Sequence, residues 1–187
     1  EETWSPPDHP NKLTFPTFEF HPTKPERLLL PNGIRVFLLQ DNSIPQVRFH
    51  AILDAGSIHE ESRDAGLASL TASLLRVGGS TVVSATEMNA KLEFAGAELE
   101  VNGGRDLVHA SLRVLSKDLE MGVGMLAEIL LHPAFPDSRL EQRRGEVLEL
   151  LRRQNDDPMA ISIREFRKLL YGDHPYGRDM NGNPETV

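Results

Sequence analysis

Paired turn residues cut this chain into short elements, and their placement limits the folds open to it. Asn32-Gly33, Gly78-Gly79 and Gly103-Gly104 each close one apolar stretch and open the next. Asn-Gly between two apolar runs is a hairpin signal, because both residues tolerate the positive φ that a tight turn between twisted strands demands. The sequence therefore predicts strands over 27–30 and 34–40, with a third over 47–53. Apolar residues at helical spacing then run from Leu67 to Val77, and Gly78-Gly79 closes that helix. Ser84 and Glu87 form an S-x-x-E pattern that opens a second helix, ended by Gly96. Two further strands, 97–102 and 107–114, flank Gly103-Gly104. Helices follow over 116–131 and 140–154, and from Asp157-Pro158 to about residue 170. Strands, helices, strands, helices is an α+β order. It predicts a two-layer sandwich, a mainly antiparallel sheet with helices packed on one face.

The first 26 residues read differently. Pro6, Pro7, Pro10, Pro16, Pro22 and Pro25 deny them both helix and central-strand pairing, so 1–26 is expected to be an arm. Its Trp4, Phe15, Phe18 and Phe20 could strap it onto a surface, or it is a loosely ordered leader. Residues 27–187 are long enough to bury a core of their own. A net charge of −8 argues against nucleic acid as a partner, because such domains carry a basic stripe. Zero cysteines remove disulfides, thiolate metal sites and cysteine nucleophiles together. No apolar run approaches the roughly 18 residues of a membrane span. The proline-rich start suits a trimmed exported chain, a slight preference for the bacterial periplasm.

Several fragments, in order, carry a resemblance. They are Leu30-Pro31-Asn32-Gly33-Ile34-Arg35-Val36, Ala55-Gly56-Ser57, Gly66-Leu67-Ala68, Gly96-Ala97-Glu98-Leu99, His132-Pro133 and His174-Pro175-Tyr176-Gly177. Together they resemble the pitrilysin, insulysin and mitochondrial-processing-peptidase family of zinc proteases over residues 27–187. Active members carry H-x-x-E-H after G-L-A, two imidazoles and a catalytic carboxylate on one helical face. The resemblance places the two histidine ligands at Ser69 and Ser73 and the general base at Ala72. A hydroxyl is a poor substitute for imidazole on zinc, and alanine relays no proton. The third ligand of the family, a Glu on a later helix, falls at Glu149, 76 residues after Ser73. The family's supporting Glu falls at Gln142, seven residues before Glu149. Glu149 is thus the one member of the set retained, and zinc is not expected here although catalytic relatives hold it.

Ser69 and Ser73 lie in no G-x-S-x-G elbow and have no His or Lys near in sequence, so a nucleophile role is disfavoured. They fit better as small fillers of a former pocket. Glu149 either hydrogen-bonds to Ser69 or Ser73, or is a solvated helix residue among Arg143, Arg144, Arg152 and Arg153. His50 and His109 lie on predicted strands and would need to meet to bind metal. His59-Glu60-Glu61 reads as a solvated acidic loop. The strand residues Glu98, Leu99, Glu100, Val101 and Asn102 alternate polar and apolar side chains. In the family an edge strand beside the zinc binds extended peptide by strand addition. Acidic side chains there also serve as ordinary edge protection.

The resemblance implies a non-catalytic peptidase-like subunit or domain. Its partners would be a homologous zinc-bearing subunit or second domain, with which it pairs as a heterodimer or clamshell, and a peptide substrate. It also implies a domain that continues past Val187. The competing expectation is a degenerate structural subunit, like relatives that scaffold a respiratory complex. An active metallopeptidase with an unorthodox site ranks last.

Overall fold

The computed structural model describes residue 19 and residues 21–187, so the expected arm lies largely outside the described residues. The chain falls into two compact units, Glu1–Ile44 and Pro45–Val187. In the first, β1 (Glu26–Leu29) and β2 (Arg35–Leu38) pair antiparallel, Glu26 opposite Leu38 and Leu29 opposite Arg35. The turn between them closes through Leu30 N–H to the Ile34 carbonyl, 2.9 Å, and Asn32 Oδ1 accepts from Ile34 N–H at 3.2 Å. That is the hairpin Asn32-Gly33 predicts, with the first strand shifted by one residue and the second shorter than the expected 34–40.

The second unit is built on three antiparallel strands in the order β3-β5-β4: β3 (Gln46–Leu53), β4 (Glu98–Gly103) and β5 (Val108–Leu115). Alternation sorts their side chains. Val108, Ala110, Leu112 and Val114 of β5 and Leu99 and Val101 of β4 enter the core, while His109, Ser111, Arg113, Glu98 and Glu100 face the other way. Glu98 and Arg113 sit opposite each other in register and form an ion pair on that outer face.

Helices cover the apolar face. α1 (Leu67–Gly78) runs beside β4, and α3 (Leu119–Leu131) lies under β5, sending Met125, Leu126 and Ile129 into the core. α2 (Ala85–Ala95) contributes Met88 and Leu92. Its first turn is capped as the sequence predicts, Ser84 Oγ accepting from Glu87 N–H at 3.2 Å. The Glu87 carboxylate turns to Lys91 instead, 2.7 Å away, so the second half of the capping box is replaced by an i,i+4 pair. α3 starts later than Ser116 suggests. The chain leaves β5 through a 3-10 turn at Ser116–Asp118, with Ser116 N–H bonded to the Pro45 carbonyl at 2.9 Å.

α4 (Asp137–Gln154) packs beside α1, and α5 (Pro158–Tyr171) follows a side-chain cap from Asp157 to Met159 N–H, 2.9 Å. Helices on one face of an antiparallel sheet is the α+β sandwich expected from the element order. No helix among the described residues is long and apolar enough to cross a membrane.

Candidate functional site

α1 carries the site because one side of it lies against the edge of the sheet. Gly103 permits the approach: a Cβ there would stand 3.1 Å from the Ala72 Cβ and 3.2 Å from the Ala68 carbonyl oxygen. Ala72 points into this contact, 1% exposed, and belongs to the core. Ser69 and Ser73, one helical turn apart, flank it and open onto a cleft of about 350 Å³. The cleft is completed by Arg76 and Val77 of α1, by Glu100, Val101, Asn102 and Gly103 of β4, and by Arg143 of α4.

The helix start is held from a distance. The Glu60 carboxylate accepts from Gly66 N–H at 3.1 Å and from Ala68 N–H at 2.6 Å, taking donors that a helix leaves without internal partners. The acidic loop of His59-Glu60-Glu61 is therefore partly structural, and His59 Nε2 lies 3.0 Å from Asp54 Oδ1.

Both serine hydroxyls are engaged. Ser69 Oγ donates to Asn181 Oδ1 at 3.1 Å, and Ser73 Oγ donates to the Leu70 carbonyl of its own helix at 2.7 Å. Neither contacts a base. Arg76 reaches across to the edge strand: its Nε donates to the Leu99 carbonyl and its Nη1 to Asn89 Oδ1, each at 2.8 Å. Burial pulls the Arg76 pKa below its usual value, and the nearby Glu100 carboxylate pushes it back up. Arg143 is paired with Glu146 through Nη1.

Glu149 and Gln142 are occupied along α4 and do not line the cleft. Glu149 accepts from Arg152 Nε at 2.8 Å, Arg152 Nη2 at 3.0 Å and Arg153 Nε at 2.9 Å. Gln142 bridges Arg139 and Glu146, 3.0 Å each. Ser69 and Ser73 thus have partners other than Glu149. Helical periodicity supplies the reason, since arginines at i+3 and i+4 are the nearest donors to Glu149, while Arg143 is the α4 residue that lines the cleft.

These bonds hold the Glu149 carboxyl down to about 2, from an ordinary 4.5, chiefly through Arg152 and then Arg153. A depressed carboxyl supports the fold above its unfolded value and loses that support as pH falls from about 4.5 through about 2. NMR titration of the Glu149 carboxyl is expected to give a midpoint near 2, moving up toward the ordinary value at 1 M salt, because the pairs are exposed.

Of the strand residues singled out by sequence, Glu100, Val101 and Asn102 line the cleft. Glu98 is turned to Arg113, and Leu99 is in the core. His50 and His109 do not meet in register: His50 lies opposite Ser111 and His109 opposite Ile52. Among the described residues no group of three or more His, Asp or Glu could hold a metal ion. Sequence reasoning missed Arg76 and read Arg143 as solvent-facing. Arg76 had a signal, since it stands three residues after Ser73 and seven after Ser69 and so shares their face. Arg143 had none, because its place depends on how α4 meets α1.

An antiparallel sheet with a helix laid along its edge strand, and a cleft between them, is the layout that the resemblance of the sequence fragments implies. The chain belongs to the insulinase family of peptidases: the model of insulinase, peptidase family M16, matches residues 35–183. An uncharacterized zinc protease of Mycobacterium leprae is 30% identical over 164 residues, 86% of this chain and 36% of that protein. The mitochondrial cytochrome b-c1 complex subunit 1 of Bos taurus is 25% identical over 158 residues, 84% of this chain and 32% of that one. Among solved structures, a peptidase M16 inactive domain from Pseudomonas fluorescens superposes with a TM-score of 0.84 at 25% identity. That match covers 88% of this chain and 40% of the other. The chain spans well under half the length of these relatives.

The cleft residues do not fit the zinc that the family implies. Its lining offers two serine hydroxyls, one amide and one carboxylate, no imidazole, and two guanidinium groups that would repel a dication.

Proposed function

We propose that this chain is a peptidase-like domain that grips extended peptide without cleaving it, beside a zinc-bearing homologue or second domain that performs the hydrolysis. The observation that carries the reading is that β4, among the described residues, has a strand partner on one side only and runs along a cleft with no metal-ligating set. An exposed strand edge recruits peptide through main-chain hydrogen bonds, and a neighbouring pocket selects side chains. In this reading Ser69 and Ser73 stand at the two former ligand positions and Ala72 at that of the general base. Glu149 is the ligand-set carboxylate that persists, now held by arginines. The inactive domain of Pseudomonas fluorescens supports a non-catalytic role by analogy.

The test is binding and turnover of one fluorescent extended peptide, with and without added zinc. Saturable binding and no cleavage are expected, with cleavage appearing only when a zinc-bearing homologue is supplied. Zinc-dependent hydrolysis by this chain alone, lost on Ser69→Ala or Ser73→Ala, would overturn the reading.

One observation favours a scaffolding role instead: Arg76 already occupies the Leu99 carbonyl on the edge strand. A chain that assembles stably with a homologue yet binds no peptide would select that alternative.

A further inference from the structure

We propose that the cleft receives the carboxyl-terminal end of an extended peptide, laid antiparallel to β4, with its terminal carboxylate held between Arg76 and Arg143. The inference rests on the peptide-binding reading above and goes on to say which part of a peptide is bound.

The hydrogen-bond phase of β4 comes first. Gly104 N–H donates to the Leu107 carbonyl at 2.9 Å, so the Gly104 N–H and the Leu107 carbonyl face each other across the β4–β5 hairpin. Hydrogen-bonded and non-hydrogen-bonded pairs alternate along an antiparallel ladder. With Gly103 opposite Val108, Val101 opposite Ala110 and Leu99 opposite Leu112, these three β4 residues turn their backbone groups away from β5. The bond from Arg76 to the Leu99 carbonyl agrees with that phase, because only an outward carbonyl can accept from α1.

The Arg76 guanidinium therefore stands where an added strand would place its own N–H opposite Leu99. Val101 and Gly103 keep outward groups beyond this stop. A strand entering at Gly103 and running antiparallel to β4 can use them, and it meets Arg76 where it would have to continue. A chain end fits there better than a chain middle.

Charge decides which end. Two guanidinium groups, Arg76 and Arg143, line the cleft, and the only carboxylate in the lining is Glu100. Arg76 spends Nε and Nη1 within the protein, and Arg143 spends Nη1 on Glu146, which is outside the lining. Each guanidinium carries five N–H donors, so both retain donors for an incoming carboxylate. Glu100 alternates onto the outer face of the sheet and also borders a depression there with Arg48, His50, Glu98 and Arg113. A terminal ammonium in the same place would face both arginines.

The experiment compares two amino-terminally fluorescein-labelled pentapeptides of alternating valine and threonine, identical except for a free carboxylate or a carboxamide at the last residue. Anisotropy titrations use the full chain. The free acid is expected to bind at least ten-fold more tightly, the difference shrinking at high salt. Arg143→Gln, at a half-buried residue of α4 that pairs with Glu146, is expected to erase most of the difference between acid and amide, with circular dichroism confirming the fold. Equal binding of acid and amide, or preference for the amide, overturns the terminal-carboxylate assignment and leaves the peptide-binding reading standing. Loss of binding to both peptides overturns both readings.

Discussion

Truncating Leu112 to alanine is expected to lower the unfolding free energy by about 2–5 kcal/mol, the range for a large aliphatic side chain removed from a packed core. Leu112 sits at the middle of the central strand, 2% exposed, opposite Phe49 on one side and Leu99 on the other. Its methyl groups also rest on α3, where a Cβ at Gly122 would meet them at 3.1 and 3.2 Å. The lost side chain thus leaves a void between both layers, and neither the sheet nor the helix can move into it without giving up other contacts. Urea denaturation should show a lower midpoint with an unchanged slope. A loss below about 1 kcal/mol would mean that the layers collapse readily around the void, and that this core is less tightly fixed than its burial implies.

The second large effect is expected at Gly182, on the segment that returns to the start of α1. Its φ is +77°, and a Cβ there would lie 2.2 Å from the Ala65 carbonyl oxygen and 2.7 Å from Thr186 Oγ1. Gly182→Ala therefore combines a left-handed backbone cost of about 1–2 kcal/mol with an overlap cost of about 1–3 kcal/mol. The overlapping atom at Ala65 is backbone, which cannot rotate aside. Gly145→Ala on α4 is the comparator, since a Cβ there meets nothing within 4 Å. It should be neutral or stabilising, because alanine is the better helix residue. Hydrogen exchange gives a second readout: Gly182→Ala should deprotect the amides at the start of α1, because the neighbouring Asn181 holds Ser69.

Much of the fold was legible because its signals are local. The Asn32-Gly33 turn, the Ser84 cap, the Asp157-Pro158 helix start and the alternation of 98–102 each act over a few residues, and each appears where the sequence places it. The family followed from the order of several such fragments. The helix carrying Ser69 and Ser73 and the strand carrying Glu100 to Asn102 border one cleft.

What was not legible depends on tertiary placement. Glu60 acts on the first turn of α1 from an intervening loop, a contact no capping pattern in sequence announces. Arg143 and Gln142 are adjacent in sequence, yet only Arg143 lines the cleft, and a rotation of one residue about α4 decides between them. Glu149 was equally consistent with a bond to the serines or to its own helix, and proximity along α4 selects Arg152 and Arg153.

The bond from Arg76 to Leu99 has a colloidal consequence as well. A row of unsatisfied backbone groups along a strand is a nucleation template, on which like chains can stack edge to edge into insoluble fibres. A guanidinium fastened over one carbonyl breaks that row and sets a charge in its path. Glu98 and Glu100 project beside it, so two chains meeting along this strand would bring carboxylate against carboxylate. The same side chain therefore sets a fixed charge on the strand edge at the point where edge-to-edge pairing of copies would need a free carbonyl.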